Sequence, residues 1–319
     1  MADSRRGSGR VAINVDDTGS FTAEETRARL SGIVLIVGAV ACFACLDTIA
    51  KYVSQSVPPL EVVWFRFATH LVLACVVFRV WKRRDLIATK RPVLQILRAL
   101  SLLGSTFFNF LALQHLQLAE TMSIMFAGPL LVTALAGPVL GEWAGPRRWA
   151  AICVGFLGVL VVTQPGTGGL HWAVMYSLAA MVSYAFYALT TRILTGTDSV
   201  QGMLIISAAV AVMVMTPPAV AVWTMPPDAL SWVLLLCTGI FGGVGHWLLI
   251  RAHAIVPAPV LAPFFYSQIV WMVGLGWLVF ADLPGPSTVI GASIVTASGL
   301  YLLYRERRLK KPKPPLPEA

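Results

Sequence analysis

Charge is what this sequence has least of. Only 12% of its 319 residues are Asp, Glu, Lys or Arg, about half the roughly 25% usual in soluble domains. A chain that is 57% hydrophobic cannot cover itself with polar side chains, so its solvent must be largely lipid. Cysteine is scarce too. Cys42, Cys45, Cys75, Cys153 and Cys237 all lie inside apolar runs, which excludes the loop-rich, secreted framework that disulfides staple. The CxxC spacing of Cys42 and Cys45 falls within a lipid-length run and reads as small packing residues. Missing as well are a Gly-rich phosphate loop, HExxH, GxSxG and paired carboxylates at the membrane surface. These absences leave no nucleotide-driven pump, no cofactor and no catalytic residues to expect. His246 and His253 are seven apart with no third ligand at sensible spacing, so no metal site is expected either.

What is present is a series of long apolar runs. A spanning helix needs about 20 mostly apolar residues. Ten runs qualify: near 30–50, 62–81, 92–112, 119–140, 147–163, 171–192, 200–223, 230–250, 257–280 and 287–304. The third carries the most polar residues, Gln95, Arg98 and Asn109. All of the 24 Lys and Arg except Lys51, Arg66 and Arg98 fall in the two tails or the even-numbered connections. The positive-inside rule then places both termini in the cytoplasm of a bacterial inner-membrane protein. This arrangement accounts for the net charge of +9 without a nucleic acid partner. Basic clusters at that face, such as Arg83-Arg84, suit anionic lipid or simply set topology. Residues 1–29 are polar, and Arg5-Arg6 lies far from the first apolar run. A disordered cytoplasmic tail is expected there rather than a signal peptide, with a basic tail over 307–319.

The chain also repeats itself faintly. A shift of 140 pairs Gly145-Pro146 with Gly285-Pro286, Glu142 with Asp282, Phe126 with Tyr266 and Ala112 with Ala252, and a shift of 141 pairs Lys51 with Arg192. The halves are 30–165 and 171–306. Each holds five helices, an odd number, so the second sits upside down relative to the first. The expected fold is all-α, ten transmembrane helices as two inverted five-helix repeats, the plan of secondary transporters with a solute site near mid-membrane.

Several runs resemble the EamA domain of the drug/metabolite transporter superfamily. They are Leu113-Gln-His-Leu-Gln-Leu-Ala119, Phe126-Ala-Gly-Pro-Leu130, Leu140-Gly-Glu-Trp143 and Gly155-Phe-Leu-Gly-Val-Leu160, then Leu261-Ala-Pro-Phe-Phe-Tyr-Ser-Gln268, Phe280-Ala-Asp282 and Ser298-Gly-Leu-Tyr301. The family usually has Glu where Asp282 stands. The resemblance covers about 30–306. It implies alternating access, no enzymatic activity, and a central cavity lined by the first four helices of each half, with helices five and ten outside. Asp47 with Lys51, and Pro59 followed by Trp64-Phe-Arg-Phe67, look most like bacterial carriers of riboflavin, S-adenosylmethionine or related metabolites. Exporters of amino acids or toxic metabolites share the fold. A channel, scaffold or lipid-modifying enzyme is the reading of another class.

Ionisable residues inside the membrane cost about 2.5–3.5 kcal/mol each, so each calls for a reason. Arg66 and His70 are four apart on one helix face, with Arg66 about 6 Å below the expected boundary. Arg66 either pairs with Glu61 or Asp47 or binds an anionic part of the solute. His70 is a pH reporter or a structural histidine. Asp47 and Lys51, also four apart, form a helix-surface ion pair or serve proton or ion coupling. Arg98, Ser105 and Asn109 make one polar stripe, lining the cavity or bonding a neighbouring helix. Tyr184, Tyr187, Tyr266, Gln268 and Trp271 suit a flat organic solute or plain packing. Pro129, Pro138, Pro257, Pro259 and Pro263, with Gly242, Gly243 and Gly245 before His246, suggest broken helices and hinges. Glu142 and Asp282 suggest helix N-terminal acceptors. Ala151 and Gly155 suit a helix contact, within the chain or in a homodimer.

Overall fold

The structure is a computed structural model that describes residues 23–164, 171–195, 197–256 and 258–309. No strand occurs among them. The first half contains α1 (Ala23–Val53), α2 (Pro59–Phe78), α3 (Pro92–Leu113), α4 (Leu118–Met125), α5 (Gly128–Leu140) and α6 (Pro146–Thr163). The second contains α7 (Val174–Leu194), α8 (Val200–Ala221), α9 (Ala229–Ile255), α10 (Ala258–Phe265), α11 (Gln268–Phe280) and α12 (Pro286–Leu309). α4 with α5 makes one span and α10 with α11 another, so twelve helices give ten helices' worth of membrane crossing.

Local chemistry sets the ends. α2, α3 and α6 open on Pro59, Pro92 and Pro146, where the missing N–H is harmless and the fixed φ suits the first turn. α8 and α9 open on Ser199 and Asp228, whose side chains accept from the N–H groups of Gly202 and Ser231. α1 starts at Ala23, earlier than the expected span; residues 1–22, 310–319 and Pro257 lie outside the described residues. α2 begins three residues before the expected boundary, so Arg66 lies about 10 Å along the helix from its start, deeper than the sequence suggests.

The helices pair by a rule that the repeat dictates. α1 packs on α9 and α7 on α3; α2 packs on α9 and α8 on α3; α2 meets α8, and α6 meets α12. Each pairing has its repeat-related counterpart or is its own. This is the signature of two halves related by a two-fold axis in the membrane plane. The two interrupted spans sit at that axis. Near Phe126 and Tyr266 the helix tightens to three-residue hydrogen bonding, with the Ala127 N–H on the Ile124 carbonyl at 3.0 Å and the Ile269 N–H on the Tyr266 carbonyl at 3.2 Å. The two rings meet edge to face, with centroids 4.9 Å apart. The breaks expected from the prolines are thus present in both spans.

The glycines of α9 act otherwise than expected. The helix runs unbroken through Gly242, Gly243 and Gly245. Their use is close approach. A Cβ on Gly245 would lie 2.7 Å from the Phe43 ring, and one on nearby Gly239 would lie 2.9 Å from the Arg66 carbonyl. Small residues let α9 lie directly on α1 and α2. α6 and α12 do the same through Gly158 and Gly291, each of which would drive a Cβ into the other's backbone carbonyl. Ser298 donates to the Ala151 carbonyl and Gly155 lies against Leu130, so both small residues weighed for a homodimer are occupied within the chain.

Candidate functional site

Where the two halves meet, four helices bring a polar cluster together. Asp47 of α1 accepts a hydrogen bond from Asn109 Nδ2 of α3 at 3.1 Å. Arg66 and His70 of α2 are buried beside them, each 5% exposed. His246 of α9 stacks on His70 with ring centroids 5.9 Å apart and takes Phe43 edge-on at 5.1 Å. Gly242 of α9 borders Arg66, its Cβ position lying 3.9 Å from Arg66 Nε, an ordinary contact distance. Asp47, Arg66, His70, Asn109 and His246 were each singled out in the sequence, and the fold unites them.

The partners differ from those expected. Arg66 pairs with neither Glu61 nor Asp47: its Nε and Nη1 have no hydrogen-bond partner, and its guanidinium lies over the Phe67 ring at 4.4 Å. Glu61 instead accepts from the Thr224 backbone N–H at 2.5 Å. Asp47 and Lys51 do not pair either. The Lys51 ammonium crosses to Asp282 Oδ2 at 3.0 Å and to the Leu116 carbonyl at 3.0 Å, because the end of α1 lies against α11 and beside the turn between α3 and α4. The i, i+4 rule brings two residues to one face but does not outbid a better acceptor on a neighbouring helix.

Arg98 has a partner at each of its three nitrogens. Its Nε donates to Thr191 Oγ1 at 2.7 Å, Nη1 to the Met203 carbonyl at 2.9 Å and Ser207 Oγ at 2.6 Å, and Nη2 to the Tyr187 hydroxyl at 3.3 Å. It ties α3 to α7 and α8, bonding neighbouring helices as the polar stripe allowed. Tyr187 caps the same guanidinium with its ring at 4.8 Å. Tyr184 lies 6.2 Å from Tyr187 between ring centroids and rests on Gly128. Tyr266 packs on Phe126 and sends its hydroxyl toward Gly299 of α12. These tyrosines form the axis-side wall, beside the charged cluster rather than in it. Gln268 is buried nearby. Trp271 is the exception. It is 41% exposed and shares its side of α11 with exposed Val270, Gly274 and Leu278, a stripe that faces lipid, so it does not join the site.

Each end of the bundle is fastened by contacts that cross between the halves. At one end stand Lys51–Asp282 and the Glu61–Thr224 bond. At the other end Arg192 Nη2 meets Glu142 Oε1 at 2.6 Å, and Asp198 Oδ2 accepts from Thr89 Oγ1 at 2.5 Å and Gln95 Nε2 at 2.7 Å. Burial works against the charged form of Asp198. Hydrogen bonds from the side chains of Thr89, Gln95 and Thr197 and from the Lys90 backbone prevail and hold its carboxyl below the ordinary carboxylate range. The two ion pairs are repeat images of one another, since Lys51 corresponds to Arg192 and Asp282 to Glu142. Glu142 and Asp282 therefore are not helix N-terminal acceptors. Each follows a left-handed helix C-cap, Gly141 at φ 73 and Ala281 at φ 56. Their backbone N–H groups return to the Ala136 and Gly276 carbonyls, both at 3.1 Å. That turn aims each carboxylate across the repeat boundary. The sequence held both halves of this signal in the 140-residue shift; only the crossed pairing was missing.

Comparison with known proteins places the chain. The model of the EamA-like transporter family matches residues 30–164 and again 171–305, so the chain belongs to that family, a transporter family rather than an enzyme family. It is 29% identical over 280 residues to the S-adenosylmethionine uptake transporter of Rickettsia prowazekii, covering 88% of this chain and 94% of that protein. It is 24% identical over 286 residues to the riboflavin transporter of Vibrio cholerae, covering 88% and 95%. A solved crystal structure of a protein with 17% sequence identity matches with a TM-score of 0.61 over 88% of this chain and 99% of that one, which bears on the fold alone.

Proposed function

We propose that this multi-pass transporter carries a small organic metabolite across the bacterial inner membrane by alternating access, with both termini cytoplasmic. The observation that carries this reading is the charged cluster enclosed where the inverted halves meet, fastened at each end by a repeat-related ion pair. A site between two halves with a matching fastening at each end is what two alternating openings require. Opening at one end separates Lys51 from Asp282; opening at the other separates Arg192 from Glu142. Drive comes from a proton or ion gradient or from exchange. Similarity to uptake proteins for S-adenosylmethionine and riboflavin supports a metabolite of that size.

The test is solute accumulation in proteoliposomes, offering vitamins, amino acids, nucleosides and S-adenosylmethionine under a proton gradient of either direction. Accumulation of one solute above empty liposomes, lost in Arg66→Ala protein that still folds, is the expected result. Equal interiors with and without protein, for every solute and both gradients, would overturn it.

A further inference from the structure

The cluster holds one cation and one anion that are close but do not pair. Arg66 is buried with Nε and Nη1 empty. Asp47 uses Oδ1 on Asn109, and its Oδ2 has no hydrogen-bond partner among the described residues. The two charges are within electrostatic reach of each other, yet no ion pair within 4.0 Å joins them. An unpaired buried charge is unfavourable, so a protein that buries Arg66 with two nitrogens open and holds the half-buried Asp47 apart from it needs something to complete them. A simple anion would complete Arg66 and leave Asp47 repelled. A simple cation would do the reverse. A group bearing a carboxylate and an ammonium on one carbon answers both at once, with the carboxylate on the guanidinium and the ammonium on the free oxygen of Asp47. Phe43, His70 and His246 supply the walls around it.

We infer that Arg66 and Asp47 together read a zwitterionic α-amino-acid headgroup on the transported solute, Arg66 holding its carboxylate and Asp47 its ammonium. This rests on the transporter reading above and assigns the end of the solute that the site recognises. The rest of the solute then extends toward the wall of Tyr184 and Tyr187. A flavin, which has neither charged group, lacks the feature being read.

The experiment uses the full chain in proteoliposomes with labelled S-adenosylmethionine, methionine and riboflavin as probes, each amino-acid probe being matched by its decarboxylated amine. Wild-type protein is expected to move at least one amino-acid probe and to take its decarboxylated counterpart roughly 10- to 100-fold less well, the loss of one charge-assisted contact. In Arg66→Ala that preference should vanish while residual uptake of the amine persists; in Asp47→Asn the preference for the carboxylate should remain while affinity for the ammonium falls. Wild-type protein moving both members of a pair equally, or moving riboflavin and no amino-acid probe, overturns the headgroup assignment and leaves the transporter standing. Movement of no probe and of no solute in the wider panel overturns both. Because the probe comparison is made on the wild-type chain, a variant that fails to fold does not decide the outcome.

Discussion

Two arginines are buried in this protein to nearly the same depth of concealment, Arg66 at 5% exposure and Arg98 at 2%, and they are opposites. Arg98 donates from all three nitrogens to four oxygens on two neighbouring helices. Arg66 leaves two nitrogens empty. Burial made both look functional in the sequence, because either is expensive in a membrane. Saturation separates them. A cation bonded through all three nitrogens to neighbouring helices is holding them together. One with two nitrogens left open is what the proposed headgroup contact requires.

The strongest way to break that comparison is to remove each guanidinium. Arg98→Ala removes the group that bonds Thr191, Tyr187, Ser207 and the Met203 carbonyl to α3. The loss of several charge-assisted bonds is expected to destabilise by on the order of 3 kcal/mol or more, seen as poor recovery of monodisperse protein in detergent. Arg98→Lys keeps the charge but not the fork and should recover only part. Arg66→Ala is expected to abolish uptake of the carboxylate-bearing solute while thermal unfolding, followed by a thiol dye on the half-buried cysteines Cys42, Cys45, Cys75 and Cys237, is unchanged or shifted upward. If Arg66→Ala unfolds the protein as Arg98→Ala does, the distinction is lost.

The end fastenings sharpen the comparison at smaller scale. Lys51 and Asp282 have side chains 13% and 32% exposed, while Arg192 and Glu142 are 58% and 52% exposed. Lys51→Met should destabilise by about 1–3 kcal/mol, since it leaves the half-buried Asp282 carboxylate and the Leu116 carbonyl without their donor. Arg192→Gln should lie within about 1 kcal/mol of wild type, as exposed pairs do. A charge swap, Lys51→Asp with Asp282→Lys, should restore part of the loss. A double-mutant cycle showing no coupling at the Lys51 end would remove that fastening from the argument.

How much of this was readable beforehand follows from which interactions are local. Span number, the two halves and their inversion were readable, because lipid demands long apolar runs and each half holds an odd number of them. The five residues of the charged cluster were readable one by one as costly polar groups in apolar runs. Their partners were not. Asp47–Lys51 and Arg66–Glu61 were natural guesses from spacing along one helix, yet the fold gives Lys51 to Asp282, 231 residues away, and Glu61 to Thr224. Long-range pairing depends on which helices are neighbours, and single-helix periodicity carries no information about that. Trp271 failed for the reverse reason: aromatic residues look alike in sequence whether they line a cavity or face lipid. The α9 glycines were noticed but read as breaks, since sequence cannot distinguish a glycine that interrupts a helix from one that lets another helix approach.

The gentlest test concerns Asp198, a charge that is neither empty like Arg66 nor sealed like Arg98. Its pKa is held below the ordinary value of 3.8, so the folded chain prefers the ionised carboxylate more than the unfolded chain does. The sign follows: the contribution is complete above the unfolded pKa and is lost as pH falls through the lower folded value. Asp198→Asn keeps the shape and removes the charge. The two proteins should therefore differ by a constant margin, under about 1 kcal/mol for so open a site, from pH 7 down to about pH 5. The margin should close only as the pH drops below 3.8. A margin that instead closed between pH 7 and pH 5 would mean that the carboxyl titrates high. The Thr89 and Gln95 bonds would then not be holding the anion, and that end of the bundle would be fastened by Arg192–Glu142 and the Ser199–Leu86 bond.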